Sequence, residues 1–112
     1  MNLQTVIEKL QLNVLTEPRD FSTITPIGGY TSDLLSCVMA GAKSSNIWVT
    51  LQAHMNIVAV AAMLEVSAII ITENAQPDST TIAKANEQGV ILLSTPKASY
   101  EICGTLWDLN LR

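Results

Sequence analysis

Strands that alternate with helices predict an α/β fold, a single three-layer domain with a mainly parallel sheet flanked by helices. Three observations lead there. From Tyr30 onwards, β-branched runs at 46–51, 66–72 and 90–95 alternate with helical stretches, the spacing of right-handed βαβ crossovers. The runs "VSAIIIT" and "VILLST" lack polar/apolar alternation, as strands do when helices cover both faces of a sheet. Finally, 112 residues with 48% hydrophobic side chains can bury one core without staples. The whole chain, 1–112, reads as one domain: an N-terminal helix and short strand over 1–26, then βα repeats over 27–112.

Taken in order, Leu3, Val6, Ile7 and Leu10 follow the i, i+3, i+4, i+7 rule behind Asn2 as cap, and predict a short amphipathic helix. "NVLTE" (13–17) reads as a short strand stopped by Pro18. "PRDFSTITPIGG" is turn-rich, and Gly28-Gly29 calls for positive φ or close backbone approach. Residues 31–42 predict a helix capped by Thr31 or Ser32, with Asp33 in its first turn. "NIWVTL" (46–51) is a strand, and a helix begun by Asn56 follows. That helix is apolar on every side from Ile57 to Leu64, so it needs cover on two sides. The simplest cover is the same helix of a second subunit, which places a homodimer interface on Ile57, Val58, Val60, Ala61 and Leu64. After the strand 66–72, "PDSTTIAKANEQG" is a helix capped by Asp78 or Ser79 and closed by Gly89. After the strand 90–95, Thr95 caps a last helix with Pro96 at its first position.

Composition narrows the function. Charged residues are 14% of the chain, against about 25% in an average domain, and so uncharged a surface points to partner contact. The net charge of −4 and the six scattered Lys and Arg argue against nucleic acid. No apolar run approaches the roughly 18 residues of a membrane span, and "MNLQTVIEKL" reads as an amphipathic helix rather than a secretory leader. Cys37 and Cys103, far apart on apolar helices, read as reduced, buried core residues of a cytoplasmic protein. Trp48, Trp107, Tyr30 and Tyr100 read as core or interface anchors.

Ligands of parallel sheets sit beyond the carboxyl ends of the strands. Those ends carry Gln52, His54 and Asn56, then Thr72 and Glu73, then Thr95, and the Gly28-Gly29 turn is placed at the same edge. These eight residues are the candidate binding set. His54 is the only histidine. Either its imidazole bonds a backbone group in a strand-to-helix turn, or it works with Glu73 as an acid–base pair. No dinucleotide fingerprint, P-loop or paired metal-ligand spacing is present, and no catalytic constellation, metal set or cofactor is implied.

The stretch from Ile27 to Leu111 resembles the DRTGG domain, through "GGYTSDLLSCVMAGAKSSNIWVTLQAHMNIVAVAAMLEVSAIIITENAQPD" and "EQGVILLST". The resemblance implies a fold like the N-terminal domain of HPr kinase/phosphorylase and a regulatory or dimerising role without chemistry of its own. The chain departs from the family where no Asp-Arg-Thr precedes Gly28-Gly29, and where Glu73-Asn74 stand in place of two glycines after the strand-end threonine. The expectation is a non-enzymatic regulatory or dimerising module in the cytoplasm. It forms a homodimer and senses a small anionic metabolite such as a nucleotide, or binds a protein partner. The alternatives are a small His54-centred enzyme or phosphoryl carrier and, from family context alone, an accessory subunit of a hydrogenase-type redox complex.

Overall fold

A computed structural model describes all 112 residues. Its sheet has five strands, β1 (Asn13–Val14), β2 (Gly29–Thr31), β3 (Ile47–Thr50), β4 (Ala68–Ile71) and β5 (Leu92–Ser94), in the order β1-β5-β4-β3-β2. β2 to β5 are parallel, and β1 pairs antiparallel with β5. The helices are α1 (Leu3–Leu10), α2 (Leu35–Gly41), α3 (Asn56–Leu64), α4 (Ser79–Gln88) and α5 (Ser99–Asp108).

The strand order advances one way from β2 to β5, so right-handed crossovers bring α2, α3 and α4 to one face of the sheet. α1 and α5 cover the other. The central strands alternate accordingly. Trp48, Ile69, Ile71 and Leu92 pack with Val38, Ile57, Val58 and Ala61. Ile47, Val49, Ala68, Ile70 and Leu93 pack with Leu3, Val6, Leu10, Ile102 and Leu106. This is the expected three-layer α/β architecture with a mostly parallel sheet.

α1 starts at its Asn2 cap, whose Oδ1 accepts the Thr5 N–H at 2.9 Å. The short strand at 13–17 exists as the two residues of β1, and Leu15 N–H still reaches the Leu92 carbonyl at 3.0 Å. α4 has the Asp78 cap and the Gly89 stop.

Elsewhere the local signals mislead. The helix expected over 31–42 begins only at Leu35, because Gly29–Thr31 form β2 against Ile47–Val49. Thr31 Oγ1 donates to the Val49 carbonyl at 2.9 Å, so Thr31 is an edge-strand residue and not a cap. Ser32 Oγ accepts the Leu34 N–H at 3.2 Å, which turns the chain one residue before the helix. α5 starts at Ser99 and not at Pro96, for Thr95 prolongs β5 and its N–H donates to the Ile71 carbonyl at 3.0 Å.

α3 has its second cover, but from its own chain. Ile57, Val58, Val60 and Ala61 are 1–9% exposed and face the sheet, α2 and α4. Leu64 is half-buried against the same cluster. The side chains expected to form a dimer interface are therefore already in the monomer's core, and Ala59 and Met63 are what α3 turns outward. Cys37 is also not a core residue. It lies exposed on the outer side of α2, whose inward position is the neighbouring Val38, and Cys103 is half-buried. Of the four aromatic anchors, Trp48 is fully buried and Tyr30 half-buried, whereas Tyr100 and Trp107 are 92% and 59% exposed. No helix is long and apolar enough to cross a membrane.

Candidate functional site

The loops that follow β4 and β5 leave the sheet for opposite faces, toward α4 and α5. Such a divergence opens a crevice at the carboxyl ends of the strands. Thr72, Glu73 and Thr95 lie there as expected, and the crevice is filled by their own hydrogen bonds. Glu73 N–H donates to the Lys97 carbonyl at 2.9 Å, and Asn74 N–H to the Thr95 carbonyl at 3.2 Å. The Thr72 and Ser99 hydroxyls are bonded to each other, and Thr95 Oγ1 accepts the Lys97 N–H at 3.2 Å. Glu73 Oε2 accepts the Ser99 N–H at 2.8 Å and sets a carboxylate on the first residue of α5, where the helix dipole favours it.

Glu73 and Asn74 both adopt φ of +60°. A non-glycine residue there carries strain of order 1 kcal/mol or more, and at Glu73 the helix-end carboxylate offsets it. Glu73→Ala keeps the strain and loses the bond to Ser99, a change expected to cost about 1 kcal/mol in urea unfolding. Glu73→Gly loses the same bond but relaxes the backbone, so its stability should fall close to wild type. Equal losses in both variants would show that the strain is not felt.

After β3, Asp33 takes a position unlike the helix-dipole role its sequence context suggests. Its Oδ1 accepts the Thr50 hydroxyl at 2.8 Å and the Leu51 N–H at 2.9 Å. Gln52 is held against this turn, with Nε2 donating to the Asp33 carbonyl at 3.3 Å and its own N–H to Thr50 Oγ1 at 3.0 Å. Leu51 is left exposed beside it.

His54 is exposed, and its Nδ1 accepts the Asn56 N–H at 3.2 Å. The His54 carbonyl accepts from Ile57 at 3.1 Å, so this one residue caps the first turn of α3 with side chain and backbone together. Nε2 has no protein partner. With Nδ1 on Asn56 and the Glu73 carboxylate on Ser99, no His54–Glu73 hydrogen bond forms.

The carboxylate that shares a cleft with His54 is Asp78. Its bond from the Thr81 N–H, at 2.8 Å, is the largest cause holding its pKa below the usual carboxylate range. The Thr81 side chain adds to this, and the nearby His54 imidazole contributes less. His54, Asn56, Gln76, Asp78 and Thr81 line this cleft of about 470 Å³.

Gly28 and Gly29 belong to the other end of the sheet, contrary to expectation. Gly29 pairs with Ile47, the first residue of β3, and the Gly28 carbonyl accepts the Ile47 N–H at 3.1 Å. Gly28 takes φ +66°, and a Cβ there would lie 3.0 Å from the Arg112 carbonyl oxygen. Its role is close backbone packing. The eight candidates thus divide into an internally bonded crevice with Thr72, Glu73 and Thr95, a braced turn with Gln52, an open cleft with His54 and Asn56, and a remote glycine pair.

Sequence reasoning missed Asp33, Ser99 and Gln76 as members of this edge. Asp33 and Asp78 left a trace only as residues at the start of helices. All buried side-chain nitrogen and oxygen atoms are hydrogen-bonded, and no three His, Cys, Asp or Glu residues cluster as metal ligands.

No family model and no curated protein matches the sequence. Among solved structures the chain is similar to the CBS and DRTGG domains of the regulatory region of Clostridium perfringens pyrophosphatase, crystallised with the activator diadenosine tetraphosphate. The TM-score is 0.70 at 18% identity, over 89% of this chain and 43% of the other. This chain spans less than half the length of that one. At such identity the likeness is one of fold, and it supports a DRTGG-like fold.

Proposed function

We propose that this chain is a non-enzymatic, cytoplasmic regulatory module that senses a small anionic metabolite, with a nucleotide as its ligand class, at the carboxyl edge of its sheet. The observation that carries the proposal is how that edge is committed. The functional groups of Asp33, Gln52, Thr72, Glu73 and Ser99 hold loops and helix ends in place. What stays open is a polar cleft whose volume lies within the range of small-molecule sites. A rigid rim beside an open cleft suits binding better than chemistry. The similar regulatory region crystallised with a dinucleotide activator adds support from fold.

The module works as a homodimer in this proposal. Because the buried face of α3 is occupied, self-association uses apolar side chains exposed elsewhere, such as Ile27, Leu34 and Trp107. A specific observation also favours one competing role. His54 is exposed and its Nε2 has no bond within the protein, as a phosphoryl carrier would require. A phosphohistidine found after incubation with a phosphoryl donor would favour that role over sensing.

The test is thermal unfolding against adenine nucleotides, polyphosphates and sugar phosphates at millimolar concentration. A ligand at about 100 times its Kd stabilises by roughly 2.7 kcal/mol. For a domain of this size that is an increase in Tm of roughly 10 °C. One responsive class identifies the ligand, and no shift with any class overturns the sensor.

A further inference from the structure

The nucleotide-sensor proposal, on which the following rests, places the ligand at the carboxyl edge and leaves open how a nucleotide's parts would lie there. Charge decides between the available surfaces. Three carboxylates, Asp33, Glu73 and Asp78, stand along the carboxyl edge, and Asp78 is held ionised beside His54. No Lys or Arg lines the His54–Asp78 cleft. A phosphate placed there would meet the Asp78 carboxylate with no Lys or Arg to offset it.

The same cleft suits an uncharged hydrogen-bonding group. The Asn56 carboxamide makes no side-chain bond within the protein, Gln76 Nε2 makes only long contacts of 3.4 and 3.5 Å to Asn74, and His54 Nε2 is free. Two carboxamides and an imidazole nitrogen supply paired donors and acceptors for the edge of a base. A carboxylate is the acceptor that a ribose diol takes.

The cleft shares Met55 and Asn56 with an adjoining groove of about 390 Å³ between α3 and α4. Val58, Ala59 and Ala62 give that groove a low apolar floor, and Lys84 is the only cation lining it. Lys84 lies six residues along α4 from Asp78, roughly 9 Å at the helical rise. Its ion pair with Glu87, at 3.6 Å, joins side chains 43% and 68% exposed. Pairs so exposed are weak enough to exchange partners.

We propose that the α3–α4 groove is a nucleotide site with two compartments: the His54–Asn56–Gln76–Asp78 cleft takes the nucleoside, and Lys84 takes the phosphates. The test is an NMR titration of the isotope-labelled chain with adenosine, ATP and pyrophosphate. Adenosine is expected to move the side-chain amide signals of Asn56 and Gln76 and the His54 ring, and pyrophosphate alone to leave them still. ATP should bind more tightly than adenosine, and added salt should narrow that gap. Lys84→Gln should weaken ATP about fivefold and leave adenosine unchanged. Asp78→Asn, which retains a good helix cap, should weaken adenosine instead. Pyrophosphate moving the cleft signals, or adenosine moving none of them, would overturn the assignment. If ATP raises the Tm while these signals stay fixed, the two-compartment site is wrong and the sensor stands. If ATP does neither, the two-compartment site falls, and the sensor falls with it when no other ligand class raises the Tm.

Discussion

Trp48→Ala is expected to lower stability by about 3–5 kcal/mol, which for a chain of this length is a fall in Tm of roughly 12–20 °C. Trp48 is 0% exposed in the middle of β3, on the face covered by α2 and α3. Its removal leaves a cavity in a sheet interior where neighbouring strands cannot collapse inward. Its Nε1–H donates to the Ser32 carbonyl at 3.0 Å and ties the loop between β2 and α2 to the sheet. That carbonyl would lose its partner, and Asp33, which braces the end of β3, sits on the same loop. Trp48→Phe largely separates the two effects, since it keeps most of the volume and loses the hydrogen bond. It should cost about 1–2 kcal/mol. Urea unfolding followed by far-UV circular dichroism measures both variants. A loss below about 1 kcal/mol for Trp48→Ala would mean that the indole is not the anchor of this face.

Gly28→Val is expected to cost about 3 kcal/mol. Two penalties combine. Gly28 adopts φ +66°, where a β-branched residue is strongly disfavoured, and a Cβ would stand 3.0 Å from the Arg112 carbonyl oxygen and 3.4 Å from the Asn46 side chain. The first of these neighbours is a backbone atom and not the tip of a side chain. Gly89→Ala provides the control, for Gly89 has φ +72° with nothing within 4 Å of the position a Cβ would take. It should show the conformational penalty alone, about 1 kcal/mol. A Gly28 variant as stable as the Gly89 variant would show that the packing against Arg112 yields freely. Because Gly28 lies at the end of the sheet away from the cleft, Gly28→Val should leave the affinity of the proposed nucleotide site, per folded molecule, unchanged.

The central strands could be read directly from "NIWVTL", "VSAIIIT" and "VILLST", because a strand covered on both faces needs apolar side chains at every position. α1 and α4 were equally plain, since their caps, Asn2 and Asp78, bond backbone groups within three residues. β2 was not. Gly29-Tyr30-Thr31 has the composition of a turn and becomes a strand only because β3, some 18 residues further on, offers its edge. Thr95 was misread for the same reason: a threonine before proline is a good cap, but its N–H is taken by Ile71 of the neighbouring strand.

The candidate site shows the same division. Its placement at the carboxyl edge followed from the parallel sheet, and His54 and Asn56 do meet on one cleft. The residues that finish it come from distant parts of the chain. Asp33 bonds Thr50 and Leu51, and Glu73 bonds Ser99 across 26 positions. No local pattern records such pairings.

By itself, then, the sequence determined the three-layer α/β class, the three central strands, the capped helices and the polar residues that end the parallel strands. Each of these follows from local periodicity or from hydrogen bonds a few residues apart. The tertiary structure alone decided which faces and carboxylates remain free. The all-apolar α3 is satisfied by its own sheet and neighbouring helices, so Ile57, Val58, Val60 and Ala61 are closed to a partner. Glu73 is committed to α5, while Asp78 faces the open cleft beside His54. The reason is physical. An apolar side chain records that it must be buried and a carboxylate that it must be paired, but neither records against what, and that depends on contacts between residues far apart in the chain.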